Sequence, residues 1–195
     1  MNARVVKLNS FARIARGGVI LLTLALNVPV VAAQSATDST TPTTNWHPPV
    51  AAWGSVGLGP GRTQEAPGGG VAGVVRANVS VGPWLLMYRA NDVGPFISAG
   101  SGVRDAGILA GMRTGGHRLF GSAALGYARA NSYHQSDNSS YPDVAPSVGA
   151  LAYDFALHAN AYVAGLALSF YGDIGPSHTT YSAFTLSLEL GWFGR

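Results

Sequence analysis

The last segment of the chain, Tyr181–Phe193, constrains the fold more than any other stretch. Its large apolar residues occupy every second position, at Phe184, Leu186, Leu188, Leu190 and Trp192, and the positions between them hold small or polar residues. A β-strand turns successive side chains to opposite faces, so this segment has one apolar and one small, polar face. At about 10 residues, a tilted strand of this kind can cross the hydrocarbon core of a bilayer. A strand of a soluble sandwich shows the same alternation, so the rest of the chain decides between the two.

The composition favours a protein that presents much of its surface to lipid. Charged residues make up 11% of the 195 residues, whereas soluble domains carry roughly 25%. The 26 glycines disfavour helix. The chain has no cysteine, which excludes disulfides, thiolate metal sites and a lipid-modified cysteine.

Residues 1–33 have the features of a cleaved secretory signal peptide. A cationic start precedes an apolar run at 17–26, and the small residues Val31-Ala-Ala33 precede Gln34. An uncleaved membrane helix is the alternative, but Asn27 and Pro29 interrupt the short apolar run. The segment holds four of the twelve cationic residues, so the remainder carries eight Arg against nine acidic residues. Such a chain has no basic surface for nucleic acid, and we exclude nucleic-acid binding.

Residues 34–50 are rich in Ser, Thr and Pro and are predicted to form a flexible linker. Eight strand-like segments follow within residues 51–193. They cover approximately 51–58, 71–81, 84–89, 103–112, 118–127, 147–155, 160–171 and 181–193. The connections between them alternate long and short, as the loops and turns of a membrane barrel do. We therefore predict an all-β fold, an eight-stranded antiparallel up-and-down transmembrane β-barrel.

In this topology the aromatic residues gather near the two rims of the barrel, as an interfacial girdle requires. The predicted girdle comprises Trp53, Trp84, Tyr153, Tyr162, Trp192 and Phe193 near the periplasmic rim, with Tyr127, Phe170 and Tyr181 near the outer rim.

The leader, the eight alternating segments and the aromatic-ended strand GLALSFYGDIGPSHTTYSAFTLSLELGWF resemble the small outer-membrane β-barrel proteins of Gram-negative bacteria. The resemblance covers roughly residues 51–193 and implies a place in the outer membrane, with outer-membrane lipid and the barrel-insertion machinery as partners. The chain departs from many such proteins in that Gly194-Arg195 follow the terminal aromatic Phe193.

Few charged residues fall on the inward faces of the predicted strands. Arg76 and Glu189 lie at similar heights on strands that flank the first strand, and a long Arg side chain can cross so narrow a lumen. We predict an interior Arg76–Glu189 ion pair, joined by Asp105 or Asp154. Such a pair fills and neutralises the interior; a gated ion path is the alternative.

No catalytic, cofactor or metal site is predicted. His134-Gln-Ser136 with Asp137 resembles the His-x-Ser arrangement of some outer-membrane lipases, but it falls in a predicted polar loop, where nothing rigid aligns the groups. The five histidines are scattered without the spacing of metal ligands; they are His47, His117, His134, His158 and His178.

The sequence therefore predicts a non-enzymatic envelope protein with a structural or surface-interaction role. Its long loops, chiefly 129–146, face the medium, where the sequence does not identify a partner. A lipid-modifying enzyme of the outer membrane is one alternative. A soluble periplasmic barrel that binds a small apolar ligand is another, although bulky residues would then fill the lumen.

Overall fold

The computed structural model describes residues 49–64, 69–95, 100–136, 143–176 and 179–194. Eight long strands and one short strand account for most of them. They are β1 (Val50–Thr63), β2 (Gly70–Val81), β3 (Trp84–Gly94), β4 (Gly100–Gly115), β5 (Leu119–Gln135), the two-residue β6 (Asp143–Val144), β7 (Val148–Ala161), β8 (Ala164–Ile174) and β9 (Tyr181–Trp192). The predicted signal peptide and nearly all of the predicted linker lie outside the described residues.

The eight long strands form one closed sheet. Each pairs antiparallel with its neighbours in the chain, β1 pairs with β9, and the β4–β5 ladder completes the ring. The short β6 adds to the end of β5 beside β7. The predicted eight-stranded antiparallel up-and-down barrel is therefore confirmed.

The strands are strongly tilted. The Cα partners lead from Val50 on β1 through Val81, Trp84, Met112, Ala123, Phe155, Phe170 and Phe184, and the path returns to β1 between Leu58 and Gly61. A shear of this size gives an eight-stranded barrel a narrow interior that side chains fill.

Burial alternates along most of each long strand, although residues 51–55 at the start of β1 are all buried. On β9, for example, buried Thr185, Ser187 and Glu189 alternate with exposed Leu186 and Leu188. The small and polar set faces the lumen and the large apolar set faces outward. Two clusters of mostly small or aromatic residues complete the interior, one around Trp53 and Phe120 and one around Tyr171.

The connections differ between the two rims. At one rim, here called the short-turn rim, strands are joined by residues 82–83, 116–118 and 162–163. Gly82 has a φ of 59°, a left-handed conformation that lets the β2–β3 turn close in two residues. The connections at the opposite rim, the long-connection rim, are longer, and the connection from β5 to β7 includes β6.

The strands extend further towards the long-connection rim than predicted. β1 continues to Thr63 instead of Leu58, and β5 continues to Gln135 instead of Tyr127. The strand ends were predicted from the end of the apolar alternation. Strand pairing, however, requires only backbone hydrogen-bond partners, so a strand can continue past that point. Polar residues of β5 find such partners on β4 up to the pair Gly100 and Gln135.

Candidate functional site: the outer wall and the filled lumen

The outer wall of the barrel is an unbroken apolar belt. Its members are exposed leucines, isoleucines, valines and aromatics from all eight long strands; Ile108 and Leu186 are 63% and 58% exposed. An apolar surface of this extent far exceeds the patches that soluble monomers tolerate in water. Its alternation with a small, polar inner face is the pattern of a barrel surrounded by lipid.

Six residues of the predicted aromatic girdle lie on the outer wall. At the short-turn rim Trp84 is 67% exposed, Tyr162 is 88% exposed, and Trp192 at the end of β9 is also exposed. Tyr127 and Phe170 are exposed on β5 and β8, and Tyr153 is half-buried on the outward face of β7. Tyr153 lies in the half of β7 next to the long-connection rim, so its predicted place near the short-turn rim is wrong.

The structure corrects the other three girdle assignments, because Trp53, Tyr181 and Phe193 are all buried in the lumen. The period of two explains their position. Val56 and Leu58 are exposed, so Trp53, an odd number of positions away on β1, faces inward. Tyr181 and Phe193 are likewise out of phase with Leu186.

The lower layer of the lumen, next to the short-turn rim, is organised around the carboxylate of Glu189. Trp53 Nε1 donates to Oε1 at 3.0 Å, and His158 Nδ1 lies 2.9 Å from Oε2. His158 Nε2 lies 2.8 Å from Ser122 Oγ. The His158 ring stacks on Phe120 at a centroid separation of 4.2 Å, and Trp53 packs edge-on against both rings.

The middle layer contains an ion pair that crosses the lumen. Arg76 Nε on β2 donates to Asp154 Oδ2 on β7 at 2.8 Å, and Arg76 Nη1 donates to Ser187 Oγ on β9 at 3.3 Å. Tyr171 lies beneath the Arg76 guanidinium, with 4.8 Å between the charged carbon and the ring centroid.

The upper layer is built on Arg89. Its Nη2 donates to Asp105 at 2.9 Å, to Asp173 and to the Tyr181 hydroxyl, and its Nη1 donates to the Tyr153 carbonyl at 2.7 Å. Arg89 is fully buried, so these contacts replace the water that its charge would otherwise require. One side chain of β3 thus ties together β4, β7, β8 and β9.

The predicted Arg76–Glu189 ion pair is not the pairing in the structure. Both residues lie beside Ser55 in the register of β1, as the prediction required. Arg76 instead binds Asp154, one of its two predicted additional partners, and the other, Asp105, binds Arg89. Glu189 is held by Trp53, which was predicted to lie in the girdle, and by His158, which was named only as one of the scattered histidines.

Sequence reasoning missed Arg89, His158 and Asp173 as lumen residues. Their positions in the strand alternation already indicated that they face the lumen. Arg89 alternates with the outward-facing Tyr88, and His158 shares its face of β7 with Asp154. A charged residue on an inward face requires a partner, and the same test on all eight strands would have identified the network.

Ser122, His158 and Glu189 have the connectivity of a nucleophile, a base and an orienting acid. They are 8%, 3% and 1% exposed, and Phe120 and Trp53 cover the histidine. A nucleophile must reach a substrate carbonyl as well as its base, and this one points into a packed interior. The arrangement fills and cross-links the lumen.

The structure places the predicted group of His134, Ser136 and Asp137 differently from the prediction. His134 lies on β5, not in a loop, and its Nδ1 is 3.1 Å from Ser101 Oγ on β4. Ser136 follows β5 and is exposed, and Asp137 lies outside the described residues. His117 is exposed in a short turn, and His47 and His178 also lie outside the described residues.

In the part of the chain that the structure describes, no three acidic or histidine side chains converge in a way that could hold a metal ion. Within the same ranges, no helix has the length and apolar character to cross a membrane.

Comparison with known proteins shows the fold. No protein family and no curated protein matches the sequence. Among solved structures, the chain is similar to Neisserial surface protein A, with a TM-score of 0.61, 5% identity and coverage of 72% of this chain and 97% of that one. It is also similar to the N-terminal β-barrel domain of Pseudomonas aeruginosa OprF, with a TM-score of 0.50, 10% identity and coverage of 73% and 97%. The architecture is that of the outer-membrane barrels.

Proposed function

We propose that the chain is a non-enzymatic outer-membrane protein that stabilises or decorates the envelope and presents its long-connection rim to the medium. The observation that supports this proposal most strongly is the exposed apolar belt around a closed barrel. Closure pairs every strand, which lipid requires of any sheet that spans it. Outer-membrane lipid is the expected partner of the belt, and the barrel-insertion machinery is the expected partner during biogenesis.

The packed lumen argues against a pore. Aromatic rings close its lower layer, and the Arg76 and Arg89 ion pairs cross its middle and upper layers. An eight-stranded barrel has room for side chains and little else. We therefore expect no steady ion conductance from the reconstituted protein.

The shape of the long-connection rim supports an interaction role. β4 and β5 have 16 and 17 residues, more than the roughly 9–11 that a tilted strand needs to cross the hydrocarbon core. β5 therefore continues beyond the membrane, where Tyr133 and His134 pair with β6. Ordered strand ends of this kind can support a surface for an external partner, whose identity the chain does not indicate.

The two alternatives make different demands on the structure. A soluble ligand-binding barrel needs its bulky apolar residues inside, whereas here they face outward. A lipid-modifying enzyme needs an accessible nucleophile, whereas Ser122 is buried beside His158. The buried arrangement and the apolar belt both favour the structural role.

Fractionation tests the proposal directly. The full-length chain, including residues 1–33, is produced in a Gram-negative host, and the outer membrane, periplasm and cytoplasm are compared together with the gel mobility of unheated and boiled samples. We expect the protein in the outer membrane, with a mobility that changes on boiling. A monodisperse periplasmic protein would contradict the location, and labelling of Ser122 by a fluorophosphonate probe, absent in Ser122→Ala, would contradict the non-enzymatic role.

A further inference from the structure

On the eight long strands that the structure describes, the outward-facing charged side chains lie towards one end of the barrel. Among the described residues of the eight long strands, the outward-facing charges are Arg62, Asp92, Arg104 and Arg129. All four lie in the half of their strand next to the long-connection rim. Three of the four are arginines, so this rim is positive on its outer wall.

Two of these arginines lie close together, directly beyond the apolar belt. Arg129 follows the exposed Tyr127 on β5, and Arg104 lies beyond the exposed Ile108 on β4. The register pairs Arg104 with Asn131 and Ala106 with Arg129, so the two arginines are diagonal neighbours on one face of the sheet. Arg62, on β1, is separated from them around the barrel.

Arg104 is held in place by Asp92 and Tyr133, which are here called the platform. Its Nε donates to Asp92 Oδ2 at 2.8 Å, and the Tyr133 hydroxyl donates to Asp92 Oδ1 at 2.7 Å. The guanidinium carbon lies 4.5 Å from the centroid of the Tyr133 ring. Burial and the neighbouring Asp92 raise the pKa of Tyr133, which lies beyond the belt, so the hydroxyl keeps the proton that it donates.

The platform depends on a glycine beneath the ring. A Cβ at Gly102 would lie 2.4 Å from the Tyr133 ring. The aromatic ring can therefore lie flat on β4 only because this position has no side chain. A fixed ring and a fixed carboxylate reduce the conformational freedom that Arg104 would lose on binding a ligand.

The two arginines retain free donors. Asp92 accepts from Nε of Arg104, the guanidinium of Arg104 also contacts the Tyr133 ring, and within the described residues the guanidinium of Arg129 has no hydrogen-bond partner. Asp92 neutralises one of the two charges, so the pair has a net charge of one. Guanidinium groups match the geometry of phosphate oxygens.

We propose that Arg104 and Arg129, on the platform of Asp92 and Tyr133, bind the phosphate of a lipid in the leaflet at the long-connection rim. The exposed residues Ile108, Leu125 and Leu151 mark the level of the hydrocarbon core. The headgroups of that leaflet therefore lie at the level of the two arginines. The acyl chains of the bound lipid cover the belt below. This inference rests on the proposed membrane location.

Native mass spectrometry of the detergent-solubilised barrel tests the site. The probes are dioleoyl phosphatidic acid and dioleoylglycerol, which share their acyl chains and differ in the phosphate. We expect the wild type to retain phosphatidic acid preferentially, and the double variant Arg104→Gln/Arg129→Gln to bind it at least about tenfold more weakly, because the loss of even one charge-assisted contact has about that effect. The matched control Arg62→Gln removes an outward arginine from the same rim and should bind within about twofold of wild type.

Each other outcome overturns the assignment. Equal retention of the two probes would show that phosphate is not recognised, and an equal loss in Arg62→Gln would show that only the total charge matters. Displacement of phosphatidic acid by an equal concentration of inorganic phosphate would assign the site to a free anion. All variants must first show the heat-dependent mobility of a folded barrel. A wild type that stays monodisperse without detergent would instead contradict the proposed membrane location.

Discussion

At the scale of single residues, the lumen depends on charged groups with several partners each. Glu189 serves two strands besides its own, since it accepts from Trp53 on β1 and from His158 on β7. The donors around Glu189 depend on it as much as it depends on them. A buried indole N–H or imidazole N–H without an acceptor loses its hydration and gains no hydrogen bond in return. Removal of one member therefore exposes the others to that penalty.

Glu189→Ala should destabilise the folded barrel strongly. The substitution leaves Trp53 Nε1 and His158 Nδ1 without an acceptor, and breaking a buried pair of this kind costs about 3–5 kcal/mol. The measurement is urea unfolding in phospholipid vesicles, followed by gel mobility. Glu189→Gln retains an acceptor oxygen for Trp53 and should lose less. Equal unfolding midpoints for the wild type and the alanine variant would refute the role given to Glu189.

At the scale of the strand, the spacing between neighbours sets what each position accepts. Gly126 and Gly121 both lie on β5, but their surroundings differ. A Cβ at Gly126 would lie 2.1 Å from the Ile108 carbonyl oxygen on β4, whereas the nearest atoms to a Cβ at Gly121 lie at 3.8 Å or more. The Ile108 oxygen belongs to the backbone of the neighbouring strand, so it can move only if the β4–β5 ladder is distorted.

Gly126→Ala should therefore be much more destabilising than Gly121→Ala. Overpacking of a fixed structure costs roughly 1–3 kcal/mol or more, and the ordinary van der Waals contacts at Gly121 should limit the loss there to within about 0.5 kcal/mol. The pair is compared by the same vesicle unfolding experiment. If both variants unfold at the same urea concentration, the close approach of β4 and β5 at this point is not rigid.

The sequence was sufficient to predict the eight strands and the faces of their side chains, but not which side chains contact each other in the lumen. Alternation identified the inward face of β2 with Arg76 and the outward face of β9 with Leu186, because a period of two is a local property. The partner of Arg76 depends on shear and tilt, which a single strand does not encode, and so the predicted Glu189 was replaced by Asp154. Trp53 was misplaced because its residue type, not its phase with Leu58, guided the assignment.

At the scale of the whole molecule, the barrel reverses the usual arrangement of a soluble protein. Large apolar side chains face outward and a polar network fills the centre. The burial of apolar groups therefore occurs against lipid, and the lumen supplies specific contacts that fix the strand register. On the described long strands, the outward-facing charged side chains lie only in the halves next to the long-connection rim, so the two ends of the outer wall differ in charge.

Depth within the membrane should determine the effect of a charge on the outer wall. Leu186 lies in the middle of β9, whereas Leu119 begins β5 beside the turn at 116–118. We expect Leu186→Arg to cost about 2–4 kcal/mol and Leu119→Arg about 0–1 kcal/mol, measured by folding into vesicles. Equal costs at the two positions would show that the belt is not aligned with the hydrocarbon core.

The orientation of the tryptophans tests the central claim most directly. Single-tryptophan variants that retain only Trp53 or only Trp192 are folded into vesicles whose acyl chains carry bromine, which quenches indole fluorescence on contact. Trp192 should be quenched because it is exposed on the outer wall, and Trp53 should keep its emission because it is buried in the lumen against Phe120. Quenching of Trp53 with an unaffected Trp192 would show that the face assigned to the lumen contacts lipid and that the outer wall does not, which would contradict the proposed barrel in the membrane.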